Sequence, residues 1–170
     1  MATGVDTLVT PDLPARKGKW GEERHSPPIS ESDIRKWAIA TYWGQEPPKI
    51  YWDADYAKTT KWGGIIAPAD FNPFAWPVRR PQMNPAAIAA ARANAGASTG
   101  PRLTNINGGQ VDTYGVPMRP GDVITAKSRL QDFNERQGKF GLMLYIFNET
   151  EWTNQKGEFV RRRIATSIRY

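Results

Sequence analysis

The chain has 170 residues and a mass of 19.1 kDa, a length typical of one domain with a single hydrophobic core. It contains 0 Cys and 1 His, which excludes a disulfide framework, thiolate metal ligands and a multi-histidine metal centre within one chain. The net charge of +6 favours anionic partners, although such an excess is also typical of a solvated surface. No run of about 18 apolar residues and no apolar N-terminal signal occur, so we expect no membrane span and a cytoplasmic location.

The N-terminal third predicts an arm followed by two helices. Residues 1–28 are rich in proline, glycine and charge, which favours an extended arm on the surface. Ser30 is placed as a helix N-cap with Asp33 at the third helical position, and apolar residues then recur at helical spacing. Pro47-Pro48 end this helix, because proline lacks an amide donor and clashes with the preceding turn. Asp53 is placed to cap a second, short helix.

The middle of the chain predicts two further helices. Residues 65–76 are apolar enough for a helix buried against a sheet, although Pro73 shortens or kinks it. Asn84-Pro85 and the following alanine-rich run, closed by Gly96, have the composition of a capped helix. Residues 78–102 are therefore predicted to form an inserted helical excursion.

From Leu103 onward the apolar period changes to two, which predicts a meander of antiparallel strands. The strands are expected at about residues 109–116, 124–130, 140–147 and 158–170. Helices first and long strands afterwards indicate an α+β domain over residues 29–170, with the helices on one face of an antiparallel sheet.

The segment from Gln45 to Asp53 resembles the motif Gly-Asp-x-Asn-Pro-Ile/Leu-His-x-Asp of the (R)-specific enoyl-CoA hydratases in the MaoC-like, hot-dog family. Other segments resemble the FAS1-like dehydratase branch of that family: residues 51–57, 62–68, 108–110, 119–122, 150–155 and 157–160. Their order and spacing carry the resemblance over about residues 29–170. It implies a single hot-dog domain, an antiparallel sheet wrapped around a central helix, that pairs with a second such domain.

In this family the first aspartate and the histidine of the motif handle the proton and the water. Aligned on Asp53, the chain has Glu46 at the aspartate and Tyr51 at the histidine, whereas a one-residue gap places Gln45 at the aspartate. The histidine is absent in either register. Histidine exchanges protons near neutral pH because its pKa is about 6.5, whereas tyrosine titrates near about 10. The resemblance thus implies that Glu46 and Tyr51 occupy degenerate catalytic positions. The alternative to a catalytic role is that Glu46 is a solvated carboxylate and Tyr51 a packed aromatic.

The turn at Gly63-Gly64 is the candidate substrate-binding element. Backbone donors at a helix N-terminus bind anions, and the family's thioester site uses this turn. Ile65 and Ala67 complete the predicted substrate-binding set, although the glycines alternatively serve only to make the turn. No metal and no cofactor are implied, because an acyl-CoA or acyl-carrier-protein thioester is itself the substrate.

Arginines supply the candidates for phosphate binding. Arg161 and Arg163 fall on one face of the last predicted strand, and Arg79 stands beside the inserted helix. A stripe of this kind suits the phosphates of a carrier, but the pattern favours a solvated sheet face.

The favoured hypothesis is a substrate-binding, catalytically degenerate subunit of a heteromeric MaoC-like enoyl-CoA hydratase or 3-hydroxyacyl thioester dehydratase. Its partner would be a catalytic hot-dog subunit in a heterodimer or heterotetramer. Small residues at Ala67, Ala69 and Ala75 suit a bulky acyl group, such as a steroid or a long chain. One alternative is a self-sufficient hydratase or thioesterase that uses Glu46. Another is a basic nucleic-acid-binding protein, but no nucleic-acid motif supports it and we expect no such partner.

Overall fold

The computed structural model describes residues 7–76, 86, 89, 104–139 and 141–170. The helices of this part are α1 (Asp12–Arg16), α2 (Glu31–Thr41), a 3-10 helix (Lys49–Tyr51) and α3 (Ala54–Thr59). The strands are β1 (Arg24–His25), β2 (Asn105–Tyr114), β3 (Thr125–Gly138), β4 (Gly141–Thr153) and β5 (Phe159–Arg169). These five strands pair antiparallel in the order β1-β3-β4-β5-β2. The α+β class predicted from the sequence is confirmed.

Two side-chain caps start the first long helix and the short one that follows. Oγ of Ser30 accepts a hydrogen bond from the amide of Asp33 at 3.1 Å, and α2 then buries Ile34 and Ala38 on one face. Oδ1 of Asp53 accepts one from the amide of Tyr56 at 3.0 Å at the start of α3. Both caps predicted from the sequence are confirmed, because a short polar side chain satisfies amides that the first turn leaves free.

The buried helix predicted over residues 65–76 is wrong, because this segment consists of turns and irregular backbone. The amide of Ala67 donates to the carbonyl of Met118 at 2.8 Å, which ties the segment to the loop before β3, and its internal main-chain bonds, from Phe71 to Pro68 and from Ala75 to Asn72, are those of single turns. Pro68 and Pro73 supply the reason, since neither can donate the backbone hydrogen bond that a continuous helix requires. Phe71 is nevertheless fully buried, at 1% exposure.

The predicted inserted helix lies almost entirely outside the described residues. Ala86 and Ala89 are helical, and the remainder of residues 78–102 is not described.

The main core fills the space between α2, the segment 65–76 and one face of the sheet. Its buried members are Ile29, Ile34, Ala57, Ile65, Ala67, Phe71, Met118, Ile124, Ala126, Trp152 and Val160. Trp37 and Phe71 meet edge to face with ring centroids 5.5 Å apart. Aliphatic and aromatic burial of this kind holds the loop segment in place without helical hydrogen bonds.

The N-terminal residues 7–28 pack along β3. Leu13 on α1 is 4% exposed and joins a second buried cluster with Leu130, Leu144 and Ile146. β1 then pairs with the first residues of β3. The division of the chain at residue 28 stays a prediction. No helix in the described ranges is long and apolar enough to cross a membrane.

The other face of the sheet carries a buried carboxylate. Glu149 on β4 is 2% exposed, and its Oε2 accepts from the Nε of Arg129 at 2.7 Å. Its Oε1 lies 3.1 Å from the Nε of Arg162 on β5. Because β3, β4 and β5 are neighbours, this one carboxylate links three strands, and charge-assisted bonds of this type are strong.

Candidate functional site

An apolar cavity of about 210 Å³ lies between the segment 66–69, the loop 115–118 and the start of β5. The described residues that line it are Tyr51, Trp62, Ile66, Ala67, Pro68, Ala69, Tyr114, Gly115, Val116, Pro117, Met118, Val160 and Arg161. Most are aliphatic or aromatic, and Arg161 is the single charged residue among them. No histidine, aspartate or glutamate belongs to this described lining. Such a cavity suits an apolar ligand.

Main-chain hydrogen bonds fix the walls of this cavity. The amide of Gly115 donates to the carbonyl of Val160 at 2.9 Å, and the amide of Val116 donates to that of Phe159 at 2.9 Å. A Cβ atom at Gly115 would lie 2.1 Å from the carbonyl oxygen of Phe159, so only glycine fits. With Ala67 tied to the loop on the opposite side, the cavity is formed before any ligand enters.

Tyr51 ends the 3-10 helix and lies in the cavity wall. Burial raises the pKa of its phenol above the usual value, and the neighbouring Tyr42 and Asp70 act in the same direction. The Tyr42 and Tyr51 ring centroids are 6.2 Å apart. The phenol is therefore protonated at neutral pH, so it can donate a hydrogen bond but cannot serve as a base.

Glu46 lies in the exposed loop between α2 and the 3-10 helix, and it is not among the cavity-lining residues. In the described part of the chain it has no hydrogen-bond or ion-pair partner. Nearby, the indole Nε1 of Trp52 donates to the carbonyl of Pro47 at 2.9 Å, and this bond connects the loop to the residue that follows the 3-10 helix. The structure thus places Tyr51 in the cavity wall and Glu46 outside it, and any catalytic role of Glu46 stays a prediction.

The Gly63-Gly64 turn differs from its predicted geometry. Gly63 has a φ of +65° and its amide donates to the carbonyl of Thr60 at 3.0 Å. The helix expected after it is absent, since residues 65–68 are irregular, so the expected helix N-terminus is wrong. Ile65 is buried in the core, and Ala67 is the member of the predicted substrate-binding set that lines the cavity. A binding role for the two glycines stays a prediction.

A second cavity of about 310 Å³ adjoins the first on the core face of the sheet. Its described lining consists of Arg24, Asn72, Phe74, Thr150, Trp152, Arg161 and Arg163. The β4–β5 register brings these side chains together, because Thr150 pairs with Arg163 and Trp152 pairs with Arg161. Arg161 lines both cavities.

The two strand arginines predicted as phosphate ligands occupy different environments. Arg161 is 4% exposed, whereas Arg163 forms two hydrogen bonds to Asp112, of 2.8 and 3.1 Å. The alternative of a solvated sheet face is therefore wrong for Arg161. Arg79 lies outside the described residues, and phosphate binding by any of the three stays a prediction.

Sequence reasoning missed several residues of the two cavities. Trp62 and Met118 stand inside or beside segments that carry the family resemblance, which is the one signal that could have indicated them. Tyr114 and Phe74 gave no such signal. Their positions depend on the pairing of β2 with β5 and on a turn segment, neither of which the sequence pattern specifies.

A five-stranded antiparallel sheet with an apolar cavity between it and the segment 66–69 agrees with the hot-dog architecture predicted from the sequence. Residues 15–163 match the family model described as the FAS1-like, dehydratase domain region. The chain belongs to that family. A comparison with curated proteins found no match.

Solved structures of similar fold include three hot-dog proteins. The ChsH1-ChsH2 complex from Mycobacterium tuberculosis has a TM-score of 0.66 at 20% identity, covering 92% of this chain and 86% of that chain. The C-terminally truncated HadBC (3R-hydroxyacyl-ACP dehydratase) complex from the same organism has a TM-score of 0.54 at 16% identity, covering 90% and 92%. The MaoC-like dehydratase from Rhodospirillum rubrum has a TM-score of 0.51 at 18% identity, covering 87% and 90%. These likenesses confirm the hot-dog fold.

Proposed function

We propose that the chain is the substrate-binding, catalytically degenerate subunit of a heteromeric enoyl-CoA hydratase or 3-hydroxyacyl thioester dehydratase. Hydration of an enoyl thioester needs a base for the water and an acid for the α-carbon. The observation that carries the proposal is an apolar cavity whose described lining has neither carboxylate nor imidazole. Tyr51, at the position of the motif histidine, remains protonated at neutral pH.

The edge strand β2 supports assembly with a second hot-dog subunit. β2 pairs with β5 on one side and ends the sheet on the other within the described chain. Its ten residues are exposed almost throughout, including Val111 at 66% and Tyr114 at 51% exposure. A long, uncovered edge strand is a site for pairing with another strand. ChsH1-ChsH2 and HadBC are both complexes, which also favours this arrangement.

The space beside the sheet supports a bulky acyl group. Residues 65–76 form turns, and small side chains at Ala67 and Ala69 face a cavity that adjoins a second one. The volumes of about 210 and 310 Å³ together fall within the range of typical ligand sites. We infer that this subunit holds the acyl group while the partner's aspartate and histidine move the protons. The acyl group is attached to coenzyme A or to an acyl-carrier protein.

The isolated chain is expected to show no hydration of crotonyl-CoA above the buffer rate, because it supplies neither base nor acid. Mixed with a hot-dog protein that carries an intact Asp-x-Asn-Pro-x-His motif and is encoded beside it, the chain is expected to form a stable complex that hydrates enoyl thioesters. Size-exclusion chromatography and the loss of enoyl thioester absorbance measure the two effects. Robust hydration by the isolated chain would contradict the proposal.

A further inference from the structure

Arg161 is a buried cation that has no carboxylate partner in the described part of the chain. Its side chain is among the buried residues at 4% exposure, and no described carboxylate lies within ion-pair distance of it. Its one hydrogen bond to a described residue goes to the carbonyl of Ala69, at 3.3 Å. A guanidinium carries several N–H donors. The remaining donors of Arg161 therefore have no partner among the described residues, and the side chain lines both cavities.

Two contacting aromatic rings, with an arginine at each end, hold this guanidinium in place. Arg161 lies over the ring of Trp152 at 3.7 Å, and Trp152 meets the ring of Phe74 at a centroid distance of 5.6 Å. Arg24 from β1 lies 5.4 Å from the centroid of Phe74. Stacking on a ring face fixes the plane of a guanidinium while leaving its N–H edge free. The donor edge of Arg161 is therefore already oriented for a ligand.

The charge around the second cavity is unbalanced. Three arginines and no carboxylate belong to its described lining. The carboxylate of Asp112 balances Arg163, so Arg161 and Arg24 are the cations of this lining that have no described carboxylate partner. Burial lowers the pKa of Arg161 and the charge of Arg163 adds to this, while Asp112, Tyr114 and Asp70 only partly oppose them. An anion placed between these cations would relieve that imbalance.

Neutral groups in the same lining suit an oxygen-rich anion. Asn72 accepts the amide of Phe74 on its Oδ1 at 3.0 Å, so its Nδ2 donors are directed elsewhere. The hydroxyl of Thr150 exchanges a hydrogen bond with that of Ser128 at 2.9 Å. Planar guanidinium groups with neighbouring amide and hydroxyl donors bind carboxylate and phosphate oxygens.

We propose that Arg161, with Arg24 and Arg163, forms a subsite for an anionic group on the ligand, a carboxylate or a phosphate. The inference rests on the proposed function for the ligand class, an acyl thioester, and adds a charged group that this class does not require. Arg161 stands where the apolar cavity meets the basic one. The subsite therefore fits a ligand whose apolar body lies in the first cavity and whose anionic group reaches the second.

Binding of three saturated probes to the full chain tests this subsite: decanoyl-CoA, decanedioyl-CoA and coenzyme A. If the anion is at the end of the acyl group, decanedioyl-CoA binds on the order of tenfold more tightly than decanoyl-CoA, and Arg161→Met removes that preference. If the anion is a carrier phosphate, Arg161→Met weakens all three probes by about the same factor. Isothermal titration calorimetry measures each dissociation constant.

Matched variants keep the test decisive. Arg35→Met on α2 removes the same charge from an exposed position and is expected to leave every dissociation constant within about twofold. If Arg161→Met fails to fold, Arg24→Met replaces it, since Arg24 is exposed and its loss is expected to weaken the same probes about threefold. Binding unchanged by both variants overturns the subsite and leaves the proposed function standing. Hydration of an enoyl thioester by the isolated chain, by contrast, would overturn the proposed function. Weaker probe binding by the Arg161 and Arg24 variants would still support the subsite in that case.

Discussion

Replacing Val111 by lysine is expected to prevent assembly with a catalytic hot-dog subunit and to abolish the hydration that the complex catalyses. Val111 lies in the edge strand β2, and its side chain is 66% exposed. Pairing of this edge with another strand would bury that position. The ammonium group of a lysine there would lose its contact with water and gain no carboxylate in return. We expect the dissociation constant of the complex to rise at least about 100-fold, as measured by analytical ultracentrifugation.

Ile39→Lys is the matched control for this edge. Ile39 is also an exposed aliphatic residue, at 50% exposure, but it lies on α2 rather than on the sheet edge. The same change of side chain there is expected to leave assembly and turnover unaltered. A Val111→Lys chain that assembles as tightly as the unaltered chain would show that β2 is not the contact.

Glu149→Gln is expected to lower the free energy of unfolding by about 3 kcal/mol. The Glu149 carboxylate is 3% exposed and lies 2.7 Å from Arg129 and 3.1 Å from Arg162. Loss of its charge leaves two guanidinium groups without their counter-ion across three strands. Both arginines reach solvent, with side chains 31% and 46% exposed. The expected loss of unfolding free energy is therefore at the lower end of the range for broken buried ion pairs. Urea unfolding followed by tryptophan fluorescence measures it.

Glu151→Gln provides the comparison for Glu149. Its carboxylate on the same strand and face pairs with Lys127 at 3.2 Å and with Arg162 at 3.3 Å, but it is 19% exposed. Because water compensates an accessible pair, we expect a loss below about 1 kcal/mol. Equal losses of unfolding free energy for the two variants would mean that the buried Glu149 ion pairs stabilise the fold no more than surface ion pairs do.

Local signals in the sequence predicted the elements that depend on neighbouring residues. Ser30 and Asp53 mark helix starts because a cap is formed within a few residues, and the structure has both caps. Alternation predicted the long strands for a similar reason. The segment 65–76 was mistaken for a helix because its apolar composition fits any buried backbone. The prolines of this segment, together with the hydrogen bond from the Ala67 amide to the Met118 carbonyl, favour irregular backbone over a helix.

The candidate site was predictable only in part, because its residues meet through long-range pairing. The altered motif aligned Tyr51 with the histidine of the family motif, a correspondence that stays a prediction, and the structure places Tyr51 in the cavity wall. Nothing in the sequence places Trp152 beside Arg161, since that contact depends on the register of β4 against β5. Alternation also could not distinguish a buried arginine on the core face from a solvated one.

The central claim is that this chain keeps the acyl cavity but contributes no acid or base. The most direct test compares turnover of the assembled complex after Glu46→Gln and Tyr51→Phe in this chain with turnover after loss of the partner's motif histidine. We expect kcat within about threefold for the two variants of this chain and a loss of at least about 100-fold for the partner variant. A loss of comparable size with Glu46→Gln or Tyr51→Phe would contradict the account.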